Sequence, residues 1–137
     1  MEDQLRFVDH VRADGLTDLP DGPGVYVVHR GVSRDDGSFR ARELLYIGQA
    51  HSLAQRLTRS HEGWRDWERA LERGEALYVS YARVRGSDLD RVEHALIRAH
   101  DPRCNETLRD TFPYRTTRVV ATGDRGLIRG TFTVHPK

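Results

Sequence analysis

Two short runs most constrain what this chain can fold into. Val25-Tyr-Val-Val-His29 and Leu44-Leu-Tyr-Ile47 are rich in β-branched, aromatic and aliphatic residues, and Asp35-Asp-Gly37 lies between them. Such runs on either side of a turn signal read as two antiparallel strands of one hairpin. Asp18-Leu-Pro-Asp-Gly-Pro-Gly24, just before the first run, is turn material. A third strand is expected over Ala76–Val84, and weaker strands over Val119–Ala121 and Thr131–Val134.

Helical spacing accounts for much of the remainder. Leu5, Val8 and Val11 fall on one side of an amphipathic helix over Glu2–Ala13. Ser52 and Gln55 form a capping-box pattern ahead of Leu53 and Leu57, and Trp64, Trp67 and Leu71 mark a second helical piece. Ser87 and Asp88 offer caps for a helix over Leu89–His100, which Pro102 helps to end. The order α-β-β-α-α-β-α predicts an α+β fold. It consists of a small three-stranded antiparallel sheet flanked by helices, with an extra C-terminal β-hairpin turning near Gly123-Asp-Arg-Gly126. The 137 residues suit one domain.

The single cysteine, Cys104, excludes an internal disulfide and a cysteine zinc site, and fits a reducing compartment. The charged start has no apolar signal region, and no stretch approaches the roughly 18 apolar residues of a membrane span. The expectation is a cytoplasmic protein with no membrane partner. Charge is unevenly spread: residues 1–24 hold two arginines against six acids, and residues 103–137 hold six arginines and Lys137 against three acids. A basic C-terminal quarter can be a phosphate-contacting surface or simply a solvated face.

Several polar residues need an explanation. In the 89–100 helix, Leu89, Val92, Leu96, Ile97 and Ala99 form the apolar stripe, and Glu93 points along it. A carboxylate placed there needs a cation or donors, either an arginine or a metal ion. Arg56 stands near the buried face of its own helix, five residues before His61, and Tyr26 and Tyr46 lie in the two apolar strands. Asp88 and Asp90 lie in the first helical turn, where acids complement the helix dipole. Trp64 and Trp67 read as core residues sooner than as stacking platforms for bases. His10, His29, His51, His94, His100 and His135 show no metal-ligand spacing.

Together these residues resemble the GIY-YIG nuclease superfamily. Gly24-Val25-Tyr26 and Tyr46-Ile47-Gly48 are similar to its two naming tripeptides. Leu53, Arg56, His61, Glu93 and Asn105 then follow in the family's order. The resemblance covers residues 22–106, with a basic extension over 107–137. It departs from the family in Val25, in the nineteen residues between the motifs, and in Gln49, where many relatives carry lysine.

The resemblance implies a divalent-metal-dependent endonuclease acting on nucleic acid, DNA first. Glu93 would hold one Mg²⁺ (or Mn²⁺) ion. Arg56 would bind the scissile phosphate, Tyr26 would position or deprotonate the attacking water, Tyr46 would orient phosphate or water, and His61 would carry a proton. Gly24 and Gly48 would allow close approach, and Asn105 would be a structural clasp. In the tail, Arg115, Arg118 and Arg125 would add substrate contacts. The competing expectations are a nucleic-acid binding module of the same fold without independent activity, and a protein-interaction domain with a salt-bridged Glu93.

Overall fold

The computed structural model describes residues 1–16 and 18–137. Among the described residues six strands and three α-helices follow one another as β1 (Glu2–Arg12), β2 (Gly24–Ser33), β3 (Phe39–Ala50), α1 (Leu53–Arg56), α2 (Trp64–Arg69), β4 (Ala76–Arg83), α3 (Leu89–His100), β5 (Thr117–Gly123) and β6 (Thr131–Val134). All six strands join one sheet in the order β3-β2-β4-β1-β5-β6. Every pairing is antiparallel except β1 with β5, which is parallel.

This corrects the expected architecture. The small three-stranded antiparallel sheet flanked by helices is replaced by a six-stranded mixed sheet, because residues 2–12 form a strand and not a helix. The buried residues of that segment are Leu5 and Phe7, two apart, whereas Val8 is exposed. Period two, not three or four, describes its inner face. β1 also sits between β4 and β5, so the C-terminal hairpin continues the sheet instead of hanging from it.

β1 changes partner along its length. Glu2–Phe7 pair with β5, and the register to β4 begins at Val8 and slips before Val11. At the slip Asp9 takes a positive φ of 49°. Its N–H is accepted by the Asp124 carboxylate at 3.0 Å. A bulge bends and twists its strand, and here it turns the sheet where one half hands over to the other.

The β2–β3 hairpin absorbs the long spacing between the two tripeptides. It is closed by Arg34–Ser38, where Gly37 has φ 84° and Asp36 Oδ1 accepts from the Ser38 N–H at 2.9 Å. Two register shifts lie within it.

The sheet has a core on each face. Val25 and Val27 of β2 pack with Leu44, Ile47, Ala82, Leu5 and Phe7 beneath Leu89, Val92, Ala95 and Leu96 of α3. Tyr26 and Val28, on the opposite face by strand alternation, pack with Leu45 and Val79 beneath Leu53, Leu57, Trp64 and Trp67. Trp67 is fully buried and Trp64 nearly so, which places both in the core. α3 occupies the expected residues. Its start differs in detail: a 3-10 turn over Gly86–Asp88 leads in, and no side chain caps it.

Candidate active site at the open edge of the sheet

Strand β3 is one margin of the sheet, and the candidate residues gather along its second half. Gly24 lies buried where β2 meets β4 and α1; a Cβ there would stand 2.6 Å from the Ala82 carbonyl oxygen and 2.9 Å from Leu53 Cδ1. Gly48 lies opposite Tyr26 in the β2–β3 ladder. A Cβ at Gly48 would fall 2.3 Å from Tyr26 Cζ and 2.4 Å from its Oη. The missing side chain therefore makes the room through which the Tyr26 phenol crosses β3 toward the margin.

Tyr26, Tyr46 and His61 form one aromatic group. Their ring centroids lie 6.1 Å apart for the two tyrosines, and 5.9 Å and 5.7 Å from His61 to Tyr26 and Tyr46. The Tyr26 hydroxyl is 2.7 Å from His61 Nε2, and the Gly63 N–H is 2.9 Å from His61 Nδ1. Nδ1 accepts that backbone N–H, so the neutral ring carries its proton on Nε2 and donates it to the Tyr26 oxygen. Burial, then the nearby Arg56 charge, hold the His61 imidazole below its usual pKa, with Glu62 opposing. It is neutral at pH 7.

Burial pushes the Tyr26 phenol far above its ordinary value; Tyr46, Glu93 and Glu62 push it further, and Arg56 opposes them. Tyr46 is also raised, first by burial and then by Glu93, with Arg56 again opposing. Arg56 and Glu93 each act electrostatically on both tyrosines.

Tyr26 belongs to the core beneath α1 and α2, and Glu93 is carried by α3, which packs on the other face of the sheet. The groups approach one another at the β3 margin. There the side-chain amide of Gln49 donates to Glu93 Oε1 at 3.1 Å and to Asp90 Oδ1 at 2.7 Å. Burial raises the Glu93 carboxyl above the usual range, with Asp90 adding to it; the Gln49 side chain and backbone N–H hold it down. Among the described residues no arginine or lysine pairs with Glu93, so the salt-bridge expectation for it does not hold. Asp90, read as a helix-dipole residue, shares Gln49 with it.

Asn105 clasps the same margin. Its Oδ1 accepts the Ile47 N–H and its Nδ2 donates to the Ile47 carbonyl, both at 2.9 Å. The neighbouring Cys104 N–H donates to Leu45 O at 3.0 Å. A side chain thus replaces the strand that would otherwise pair there. A cleft of about 290 Å³ opens beside Asn105, with Tyr46, His61, Glu62 and Cys104 in its walls.

Arg56 ends α1 and grips Glu62 with both prongs of its guanidinium, Nη1 to Oε2 at 2.7 Å and Nη2 to Oε1. The pairing holds the Glu62 carboxyl down at about 2. Gln49 was noted in the sequence only as a departure, and Glu62 carried no signal beyond its place next to His61.

The tail arginines lie elsewhere. Arg115 precedes β5, Arg118 lies on it, and Arg125 is in the β5–β6 turn, four or more strands from β3. Arg118 is 3.6 Å from Glu2, and Arg125 folds back onto the Ile128 carbonyl oxygen. Arg125 is therefore a turn residue.

Among the described residues no group of three or more histidine, cysteine or acidic side chains is placed to hold a metal ion. No helix there is long and apolar enough to cross a membrane. Comparison with protein-family models, curated proteins and solved structures gives no match.

Proposed function

We propose that this chain is a divalent-metal-dependent endonuclease of the GIY-YIG type, acting on nucleic acid and on DNA first. The observation that supports the reading is a packed group of Tyr26, Tyr46 and neutral His61 beside the β3 margin, with Arg56 and Glu93 each acting electrostatically on both tyrosines and the half-buried Glu93 paired with no arginine or lysine among the described residues. Phosphodiester hydrolysis needs a positioned water, fixed positive charge on the phosphate and help for the leaving oxygen, and these residue types can meet those needs.

The donor set fits an ion that retains most of its water. One desolvated carboxylate, with Asp90 beside it on the same amide, suits Mg²⁺ or Mn²⁺ better than an ion requiring a full cage of protein ligands. Glu93 would hold it, and when bound it would supply Lewis acidity at the phosphate.

The chain's own groups do the remainder. Arg56 places a planar cation where negative charge builds on the phosphate. Tyr26 is neutral and too weak an acid to serve as a base unaided. Because His61 donates to its oxygen, the phenolic proton turns away from His61 toward Tyr46, which faces the cleft and can pass the orientation on to a water there. The same N–H would stabilise a phenolate whenever added positive charge drew the proton off. Tyr46 lines the cleft and orients the phosphate from the side.

The test is cleavage of labelled duplex, branched, flapped and single-stranded DNA and RNA with Mg²⁺ or Mn²⁺, against EDTA controls. We expect metal-dependent cutting that is lost in Glu93→Gln and falls about 10²- to 10³-fold in Arg56→Ala, the loss typical of removing one transition-state donor. An inert parent across the whole panel, or Glu93→Gln cutting as fast as the parent, overturns the reading.

A further inference from the structure

At Arg56 the place an oxyanion would take is already held by an oxyanion. The two-pronged Arg56–Glu62 contact has the geometry with which arginine grips a phosphate. Glu62 is held over the site by its own backbone. The His61 N–H donates to Thr58 O at 3.0 Å, the Trp64 N–H to His61 O at 3.1 Å, and the buried His61 ring is fastened to both Tyr26 and Gly63. Its carboxylate acts electrostatically on Tyr26, Tyr46 and His61, the groups a bound phosphate would also meet. Yet the Glu62 side chain is 74% exposed and that of Arg56 36%, so the carboxylate can swing away without unpacking anything.

We propose that Glu62 is an internal competitor for the substrate phosphate: its carboxylate occupies the phosphate position on Arg56, and a phosphate group enters only by displacing it. That the phosphate belongs to nucleic acid rests on the nuclease reading. The competition itself applies to any phosphate ligand. A lone phosphate must outbid a tethered carboxylate, whereas a polymer anchored by neighbouring contacts presents its phosphate at high effective concentration. The contact thereby favours chains of phosphates over single ones.

Two probes separate this inference from the nuclease reading. The first is inorganic phosphate, titrated into ¹⁵N-labelled full-length protein while the Arg56 Nε–H resonance is followed. Glu62→Ala should lower the half-saturating concentration by about two- to fivefold, the worth of one well-made surface ion pair. Glu62→Gln should fall between the two. The second is a duplex oligonucleotide, bound in EDTA and followed by anisotropy. The same gain should appear there and vanish when Arg56→Gln is added, and in cleavage assays it should fall on KM.

Unchanged or weaker phosphate binding at Arg56 in Glu62→Ala overturns the proposal. So does a gain that survives Arg56→Gln, which would mean general charge repulsion. A gain with phosphate but no oligonucleotide binding by any variant keeps the competitor and removes the nucleic acid.

Discussion

The ring of Tyr26 lies over Gly48, so close that a Cβ at position 48 would stand 2.3 Å from its Cζ. Gly48 is not among the glycines of positive φ, so the backbone would accept alanine. The clash is with the ring alone, and Tyr26 is buried and cannot withdraw. Gly48→Ala should therefore cost about 1–3 kcal/mol by overpacking and move the phenol off His61. Denaturant titration checks the first effect. Loss of cleavage, with a changed His61 ring resonance in a folded protein, checks the second. A Gly48→Ala protein as stable and active as the parent would show that Tyr26 has another place to go.

Asn105 can be separated from the chemistry. Its amide satisfies both outward backbone groups of Ile47, a residue that is itself fully buried. Asn105→Asp keeps the acceptor for the N–H but sets a carboxylate oxygen against the Ile47 carbonyl. Asn105→Ala leaves both groups without a partner. Each should lose about 1–3 kcal/mol. In both, the Ile47 amide should exchange faster with solvent. If amide exchange at Ile47 is unaltered, the clasp does not hold the margin.

The sequence was legible where one element decides its own form. Ser87, Asp88 and Pro102 marked the limits of α3, and two β-branched and aromatic runs on either side of Asp35-Asp-Gly37 marked the hairpin. The segment 2–12 was misread because Leu5, Val8 and Val11 satisfy a helical spacing, while the pairing that makes it a strand comes from β4 and β5, far along the chain. At the site, residue types were readable one by one. The contacts of Gln49 with Glu93 and of Glu62 with Arg56 were not, since each depends on where separate elements are brought together. The two readings of β1 predict opposite mutational costs. Phe7, fully buried, should lose about 3–5 kcal/mol on change to alanine. Val8, 36% exposed, should tolerate glutamate within about 0.5 kcal/mol. A severe cost at Val8 and a mild one at Phe7 would restore the helix.

A buried histidine should make the fold acid-sensitive well above the range of its carboxylates. His29 is fully buried on β2, its Nε2 accepts the Leu127 N–H at 3.0 Å, and its Nδ1 has no partner among the described residues. Burial, then the neighbouring His10 and His100, push its pKa down to about 3. The folded state thus refuses a proton that the unfolded chain takes near pH 6.5. Stability is complete above about pH 6.5 and falls as pH drops below it, by about 1.4 kcal/mol per unit for one such group, or roughly 2 kcal/mol by pH 5. Burial also lowers His10, His61, His94 and His100, and each acts in the same direction. His29→Gln keeps an acceptor for Leu127 and removes this titration. Urea unfolding at pH 7.5, 6.5, 5.8 and 5.0 should show a steep decline in the parent and a shallower one in the variant, the curves differing by about 2 kcal/mol at pH 5 relative to pH 7.5. Parallel curves would mean that His29 already takes up its proton in the folded state, through an opening of the β5–β6 turn that covers it.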